Sequence, residues 1–246
     1  MTTLPAPFIQ ALADLEFELE SDVLGTLSAF LELILSENPR YSLIGAREPD
    51  LLWTRHILDA IVLARILNEK KPQGVRLVDV GSGNGFPGLV LGILDSRLSV
   101  ALVESTKKAE FLDLAIRELG LGRVTVFHER AEVLGRDRAH RGRYDLATAR
   151  AVGSLDDVLE YLIPLLGDQG LMVTPRGPTA PDEVEASCSA AQLLGADLLT
   201  ATPYKLPGSG IFHMVCASKA RPTPDRFPRP AKLMAKKSLS AVAGVS

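Results

Sequence analysis

The sequence predicts an α/β protein: a doubly wound, mostly parallel, seven-stranded sheet with helices on both faces and a helical cap at its N-terminus. Three observations predict it. From Val75 to Leu194, short apolar segments of strand character alternate with amphipathic helical ones, the pattern of a parallel sheet covered on both sides. Leu77-Val78-Asp79-Val80 runs directly into Gly81, Gly83 and Gly85 and then into an apolar helix beginning near Pro87, where a proline suits the first turn. Finally, the apolar segments Leu198 to Leu206 and Ile211 to Ser218 are too close for a helical crossover, so they pair antiparallel.

Length and composition permit such a fold. At 246 residues and 46% hydrophobic content the chain can bury a sizeable core. No apolar run reaches the length of a membrane span. Met1 to Pro5 lacks a basic region followed by an apolar stretch, so no secretory signal is expected and the expected compartment is the cytoplasm. Cys188 and Cys216 form no C-x-x-C signature and the histidines are scattered, which points to neither a disulfide framework nor a metal site. Both cysteines read as small core residues.

The elements follow in order. Residues 4 to 38 read as two amphipathic helices, one face carrying Phe8, Leu12, Leu15 and Leu19, the other Leu24, Leu27, Phe30, Leu31 and Ile34. Asn38-Pro39 should stop the second helix, because a residue before proline is pushed out of the α region. Tyr41 to Pro49 is then a loop, and Asp50 an N-cap for a helix through Leu67. Lys70 to Gly74 separates this cap from the glycine-loop strand. Further strands are expected at Leu98 to Glu104, Val124 to Phe127, Tyr144 to Ala149 and Leu171 to Thr174. Between them, Thr106 caps a helix ending before Gly120, and Ser154 with Asp157 starts a helix to Leu166. Pro175 to Pro181 is a loop, followed by a helix from Asp182 to Leu194. Three units result: a cap over 1–72, a core over 73–219, and a basic, Pro-rich tail over 220–246, expected to be extended or disordered without a partner.

The glycine loop separates two ligand classes. A pyrophosphate-binding G-x-G-x-x-G counted from Gly81 would need glycine at 86, which is Phe; the register from Gly83 starts late and encloses Pro87. Asp79 would repel a pyrophosphate but suits an ammonium or sulfonium group. The loop resembles the D-x-G-x-G-x-G motif of S-adenosylmethionine-dependent methyltransferases, whose second acid at the next strand end is matched by Glu104. That resemblance implies the class I, Rossmann-like methyltransferase fold.

Charge is unevenly distributed. Seven acids and no Lys or Arg precede Arg40, whereas Lys219 to Lys237 carries seven Lys or Arg against Asp225 alone, and Arg130, Arg136, Arg138, Arg141 and Arg143 form another cluster. Such asymmetry fits nucleic-acid contact and equally an ordinary solvated surface.

Four stretches together resemble one family more closely: Arg55-His56-Ile57-Leu58-Asp59, Asp79 to Gly88 with its Phe-Pro-Gly ending, Arg130-Ala131-Glu132, and Ala149-Arg150-Ala151 followed by Ser154-Leu155. That family is the bacterial small-subunit (16S) ribosomal RNA (guanine-N7)-methyltransferase G, also called glucose-inhibited division protein B. The resemblance spans roughly residues 8 to 237. It implies S-adenosylmethionine as cofactor, held by Asp79, Gly81, Gly83, Gly85 and Phe86, with Glu104 on the ribose hydroxyls, Ala131 and Glu132 along the adenine, and Arg150 facing both cofactor and base. Arg150 is the candidate catalytic residue. His56, Arg176, Arg229, Lys232, Lys236 and Lys237 are candidate RNA contacts. The implied partner is ribosomal RNA or a ribosomal subunit, and the expected state is a monomer. The chain departs from the family at Ser42-Leu43-Ile44 for Asn-Leu-Thr, at Pro175-Arg176-Gly177 for Lys-Gly, and at Phe227 for Tyr.

Other readings stand beside it: a methyltransferase acting on a small molecule or protein, a non-catalytic cofactor- or RNA-binding module, and a nicotinamide dehydrogenase. For the individual side chains, Arg150 has a structural alternative as a strand-end ion pair, His56 as a helix hydrogen-bonder, and Asp79 as a cap for loop N–H groups. Trp53 reads as a packing anchor.

Overall fold

A computed structural model describes residues 4–45, 51–68 and 75–244. The expected cap Asp50 and separator Lys70 to Gly74 lie outside those residues. The cap begins with α1 (Ala6–Asp14) and α2 (Ser21–Tyr41). Contrary to the expected stop at Asn38-Pro39, α2 runs on for another half-turn with Pro39 inside it. The Asn38 Oδ1 accepts from the Ile44 amide at 2.9 Å while its Nδ2 donates to the Ile44 carbonyl at 3.2 Å. These bonds close the turn that follows Pro39, and the helix ends at Ser42 in the left-handed region, φ +53°. Next come widened π-helical turns over Leu52–Ile57, continuing as α3 (Leu58–Asn68). Trp53 packs against Phe8 with ring centroids 5.0 Å apart, as a packing anchor should.

The sheet comprises β1 (Arg76–Val80), β2 (Ser99–Val103), β3 (Val124–Phe127), β4 (Tyr144–Ala149), β5 (Leu166–Arg176), β6 (Ala196–Lys205) and β7 (Ile211–Lys219). Its order is β3-β2-β1-β4-β5-β7-β6. The first five strands pair in parallel, whereas β7 lies antiparallel between β5 and β6, as the short connection required. The order reverses between β1 and β4, and in open α/β sheets the ligand crevice lies at that switch, outside the strands' C-terminal ends. The helices α4 (Gly88–Leu94), α5 (Lys108–Glu118), α6 (Ala131–Leu134), α7 (Leu155–Leu162) and α8 (Ala180–Leu194) connect them. At the start of α5 the Thr106 hydroxyl accepts from the Lys108 amide at 3.3 Å. Ser154 and Asp157 form the reciprocal capping box of α7, worth about 1 kcal/mol at such a terminus.

Several boundaries differ from expectation. The expected Pro175 to Pro181 loop is confined to residues 177–179, because β5 runs on through Arg176 and α8 already starts at Ala180. The α7 helix gives way at Ile163–Leu165 to a tight 3₁₀ turn, and β5 starts at Leu166 rather than Leu171. Pro164 cannot donate within a continuing helix. Its carbonyl and that of Leu165 instead accept from the Gly142 and Arg143 amides, at 3.0 Å each, which turns the chain into the sheet.

The sheet's side-chain alternation divides the core into two layers. Leu77 joins one face with Phe30, Ile34, Ile61, Leu89 and Phe111, so the cap and α3, α4 and α5 share a continuous core. Val78 and Val80 join the opposite face with Leu155, Leu159, Leu162 and Leu194.

The tail corrects the expectation of an extended or disordered segment. It folds as α9 (Ala231–Met234) and α10 (Leu239–Ala243), and Phe227, Met234 and Leu239 are buried. Arg141 donates to the Phe227 and Thr223 carbonyls at 2.6 and 2.8 Å, and Arg136 to the Pro228 carbonyl at 2.8 Å. Two of the clustered arginines thus bind the chain's own tail. Cys188 is exposed and Cys216 half-buried, so Cys188 is not the core residue expected; it stands on the outer side of α8.

Candidate active site

The site is built where β1 and β2 end. Gly81 donates to the Val103 carbonyl at 2.8 Å, Gly83 to Glu104 Oε2 at 2.9 Å, and Thr106 to Glu104 Oε1 at 2.8 Å. Gly81 stands at φ +69°, and a Cβ there would lie 2.8 Å from Val152 Cγ1. Both the conformation and the close approach therefore require glycine. Asn84 donates to the Leu43 carbonyl at 3.2 Å, tying the loop to the cap.

Asp79 sits beneath this loop and is fully buried. Its Oδ2 accepts from the Gly88 amide at 3.0 Å, and Oδ1 has no hydrogen-bond partner among the described residues. Burial pushes the carboxyl up to about 7 despite that bond and the Ser82 hydroxyl nearby. A Cβ on Gly88 would lie 2.4 Å from Asp79 Cβ, so that glycine lets the helix start against the strand. The geometry matches the loop-capping alternative for Asp79.

A cavity of about 470 Å³ opens above the loop. Of the predicted cofactor residues, Gly81, Gly83, Phe86, Glu104, Ala131 and Glu132 line it, together with Arg150 and His56. Gly85 instead faces Phe30 of the cap. A second cavity of about 350 Å³ shares His56, Arg150 and Ala151 with the first and extends past Asp59, Arg176 and Tyr204.

Arg150 follows the end of β4 and stands between the two. Its Nη2 donates to His56 Nδ1 at 2.6 Å and its Nη1 to Asp59 Oδ2 at 3.3 Å, while the guanidinium lies 5.4 Å from the Phe86 ring centre. The His56 ring stacks on Phe86 at 5.1 Å. Burial, then the positive charges of Arg150 and Arg55, lower the His56 pKa to about 3. The imidazole is therefore neutral, and since a guanidinium only donates, Nδ1 is its accepting nitrogen. Asp59 Oδ1 in turn accepts from the Tyr204 hydroxyl.

The remaining candidates are dispersed. Arg176 reaches the second cavity but is bound to Glu183, with Nη2 at 2.5 Å and Nε at 3.0 Å, and to the Gly153 carbonyl. Arg229 binds Glu160 of α7, Nη2 to Oε2 at 2.6 Å, with the carboxylate fully buried. Lys232, Lys236 and Lys237 are exposed on the tail. Asp59 and Tyr204 were missed as site residues. Asp59 had a signal, being one helical turn from His56; Tyr204, on a distant strand, had none.

The model of a family described as rRNA small subunit methyltransferase G matches residues 24–207. This chain belongs to that family. Among curated members, the ribosomal RNA small subunit methyltransferase G of Chloroflexus aggregans is 39% identical over 211 residues, covering 85% of this chain and 87% of that protein. Its counterpart in Lacticaseibacillus paracasei is 36% identical over 228 residues, covering 92% and 94%. That of Rubrobacter xylanophilus is 41% identical over 212 residues, covering 84% and 80%. The fold itself is shared with a predicted O-methyltransferase from Agrobacterium tumefaciens, 20% identical, with a TM-score of 0.52 over 67% of this chain and 83% of that one. As a family member the chain is a methyltransferase, and among its described residues no helix is long and apolar enough to cross a membrane.

Proposed function

We propose that this protein transfers a methyl group from S-adenosylmethionine to N7 of a guanine in 16S small-subunit ribosomal RNA. The observation that carries the reading is the meeting of two cavities at Arg150, one over the glycine loop and one beside it. The first fits the cofactor. Its volume suits a nucleoside carrying an amino acid, and Gly81 and Gly83 keep the loop backbone open to it. Glu104 retains acceptor capacity beyond its two amide bonds, since an ionised carboxylate offers about four lone-pair directions; those serve ribose hydroxyls. Ala131 and Glu132 border the adenine, and Phe86 the sulfonium end. Asp79 supports the loop from below.

When bound, S-adenosylmethionine supplies an electrophilic methyl. The acceptor base enters the second cavity. Guanine N7 already carries an in-plane lone pair that forms the new N–C bond while the C–S electron pair returns to sulfur. No proton leaves the base, so no residue has to act as general base, and neutral His56 is not required to. The chain contributes alignment, which in favourable cases supplies about 7–11 kcal/mol. Arg150 directs its guanidinium toward the base or its phosphate, and Asp59 offsets the positive charge that would oppose a cationic cofactor. Lys232, Lys236 and Lys237 face solvent and are the candidates for RNA phosphates, with Arg176 at the mouth of the second cavity; Arg229 serves the fold.

The test is methyl transfer from labelled S-adenosylmethionine to small ribosomal subunits lacking the modification, followed by nuclease digestion and mass mapping. One 7-methylguanosine in the small-subunit RNA is the expected result. Cofactor binding with no label in RNA would sink the acceptor assignment and point to a small-molecule or protein substrate.

A further inference from the structure

Tyr204 lies on β6, the strand at the sheet's outer edge, 145 positions from Asp59. Its ring packs against Phe212 with centroids 5.9 Å apart. Its hydroxyl donates to Asp59 Oδ1, while Asp59 Oδ2 receives Arg150 Nη1 at 3.3 Å. One carboxylate thus couples the edge strand to the arginine between the cavities. Burial and the neighbouring Asp59 charge raise the Tyr204 pKa, so the phenol remains a donor across the working range.

The arrangement has a consequence for catalysis by alignment. A guanidinium held by one carboxylate oxygen and one imidazole nitrogen keeps its orientation only while both acceptors keep theirs. His56 is held by its stacking on Phe86. Asp59, on the first turn of α3, needs its other oxygen fixed, and Tyr204 fixes it. Groups whose rotamers are locked from behind reach the transition state without reorganising.

We infer that Tyr204 is a positioning residue for methyl transfer: acting through Asp59, it holds the Arg150 guanidinium in the orientation that meets the acceptor base. This rests on the second cavity being the base site.

The experiment compares the wild-type chain with Tyr204→Phe, Asp59→Asn and the double variant. Tyr204→Phe keeps the ring contact and removes only the donor. The expected result is a fall in kcat of tenfold or more for Tyr204→Phe, with cofactor Kd unchanged and Tm lowered only by the loss of one buried hydrogen bond. The double variant should be no slower than Asp59→Asn alone, because a relay acts as a unit. A second readout needs no RNA: the guanidinium ¹⁵N signals of Arg150, assigned by loss in Arg150→Lys, should be resolved in the wild type and averaged by rotation in Tyr204→Phe. Unchanged kcat, or effects of the two substitutions that multiply, would overturn the relay. Absence of 7-methylguanosine with the wild-type protein would instead overturn the functional reading. In that event, unaltered Arg150 signals in Tyr204→Phe would overturn the positioning role as well, and averaged ones would uphold it.

Discussion

The Gly83 amide donates to Glu104 Oε2 at 2.9 Å, so the acid that ends β2 fixes the loop that leaves β1. The same carboxylate takes the Thr106 amide on its other oxygen. Glu104 is therefore both a wall of the first cavity and the brace of its floor.

Replacing Glu104 by Ala should weaken cofactor binding at least tenfold, because two amides lose their acceptor and, on the proposed reading, the ribose would lose its partner; leaving such a group unpaired costs about 1–3 kcal/mol. Glu104→Gln, which keeps one acceptor oxygen, should fall between. Titration calorimetry with S-adenosylmethionine measures both, and unchanged affinity in Glu104→Ala would remove Glu104 from the site.

Gly88→Ala should destabilise the protein by about 1–3 kcal/mol or more. The new methyl would lie 2.4 Å from Asp79 Cβ and 2.7 Å from Leu102 Cδ2, inside a packed core. Urea denaturation of the variant against the wild type checks it; equal midpoints would contradict the packing.

His56 makes stability fall in acid. Its pKa is about 3 in the folded protein and near 6.5 in the unfolded chain. Between those values the unfolded chain binds the extra proton, so stability drops as pH falls from 6.5 toward 3. His56→Asn should show a shallower loss between pH 6.5 and 4.5, read from denaturant midpoints.

Asp79 has the opposite slope. Its carboxyl titrates near 7 when folded against 3.8 when free, so the folded state holds the proton and stability falls as pH rises from 3.8 through 7. Asp79→Asn should accordingly gain on the wild type between pH 5 and pH 8, by a few kcal/mol at most at about 1.4 kcal/mol per pH unit. A constant difference across that range would mean that the buried carboxyl does not titrate there.

Arg229→Ala should cost about 3–5 kcal/mol, since it strands the buried Glu160 charge. The accompanying Glu160→Gln change should recover part of the loss. Proteolysis of the variant should begin in the tail, between Pro222 and Lys237, where the Arg229 contacts hold it.

Local patterns along the chain suffice for the alternating core, the antiparallel closing hairpin and the glycine loop with Glu104. Each depends on a local pattern: period of hydrophobic residues, length of a connection, glycines directly after a strand. Arg150 follows from no such pattern; the family resemblance alone points to it. What these groups touch depends on the folded chain as a whole. Asp79 lies under the loop because α4 starts against it, and Tyr204 meets Asp59 only because β6 pairs with β7 at the sheet edge. The tail shows the difference most clearly: its prolines and lysines describe a segment unable to fold alone, and it orders because Arg136, Arg141 and Glu160 elsewhere in the chain supply the partners. Composition and periodicity report what a segment can do with its neighbours in sequence, whereas hydrogen-bond satisfaction and burial are properties of groups brought together by the whole fold.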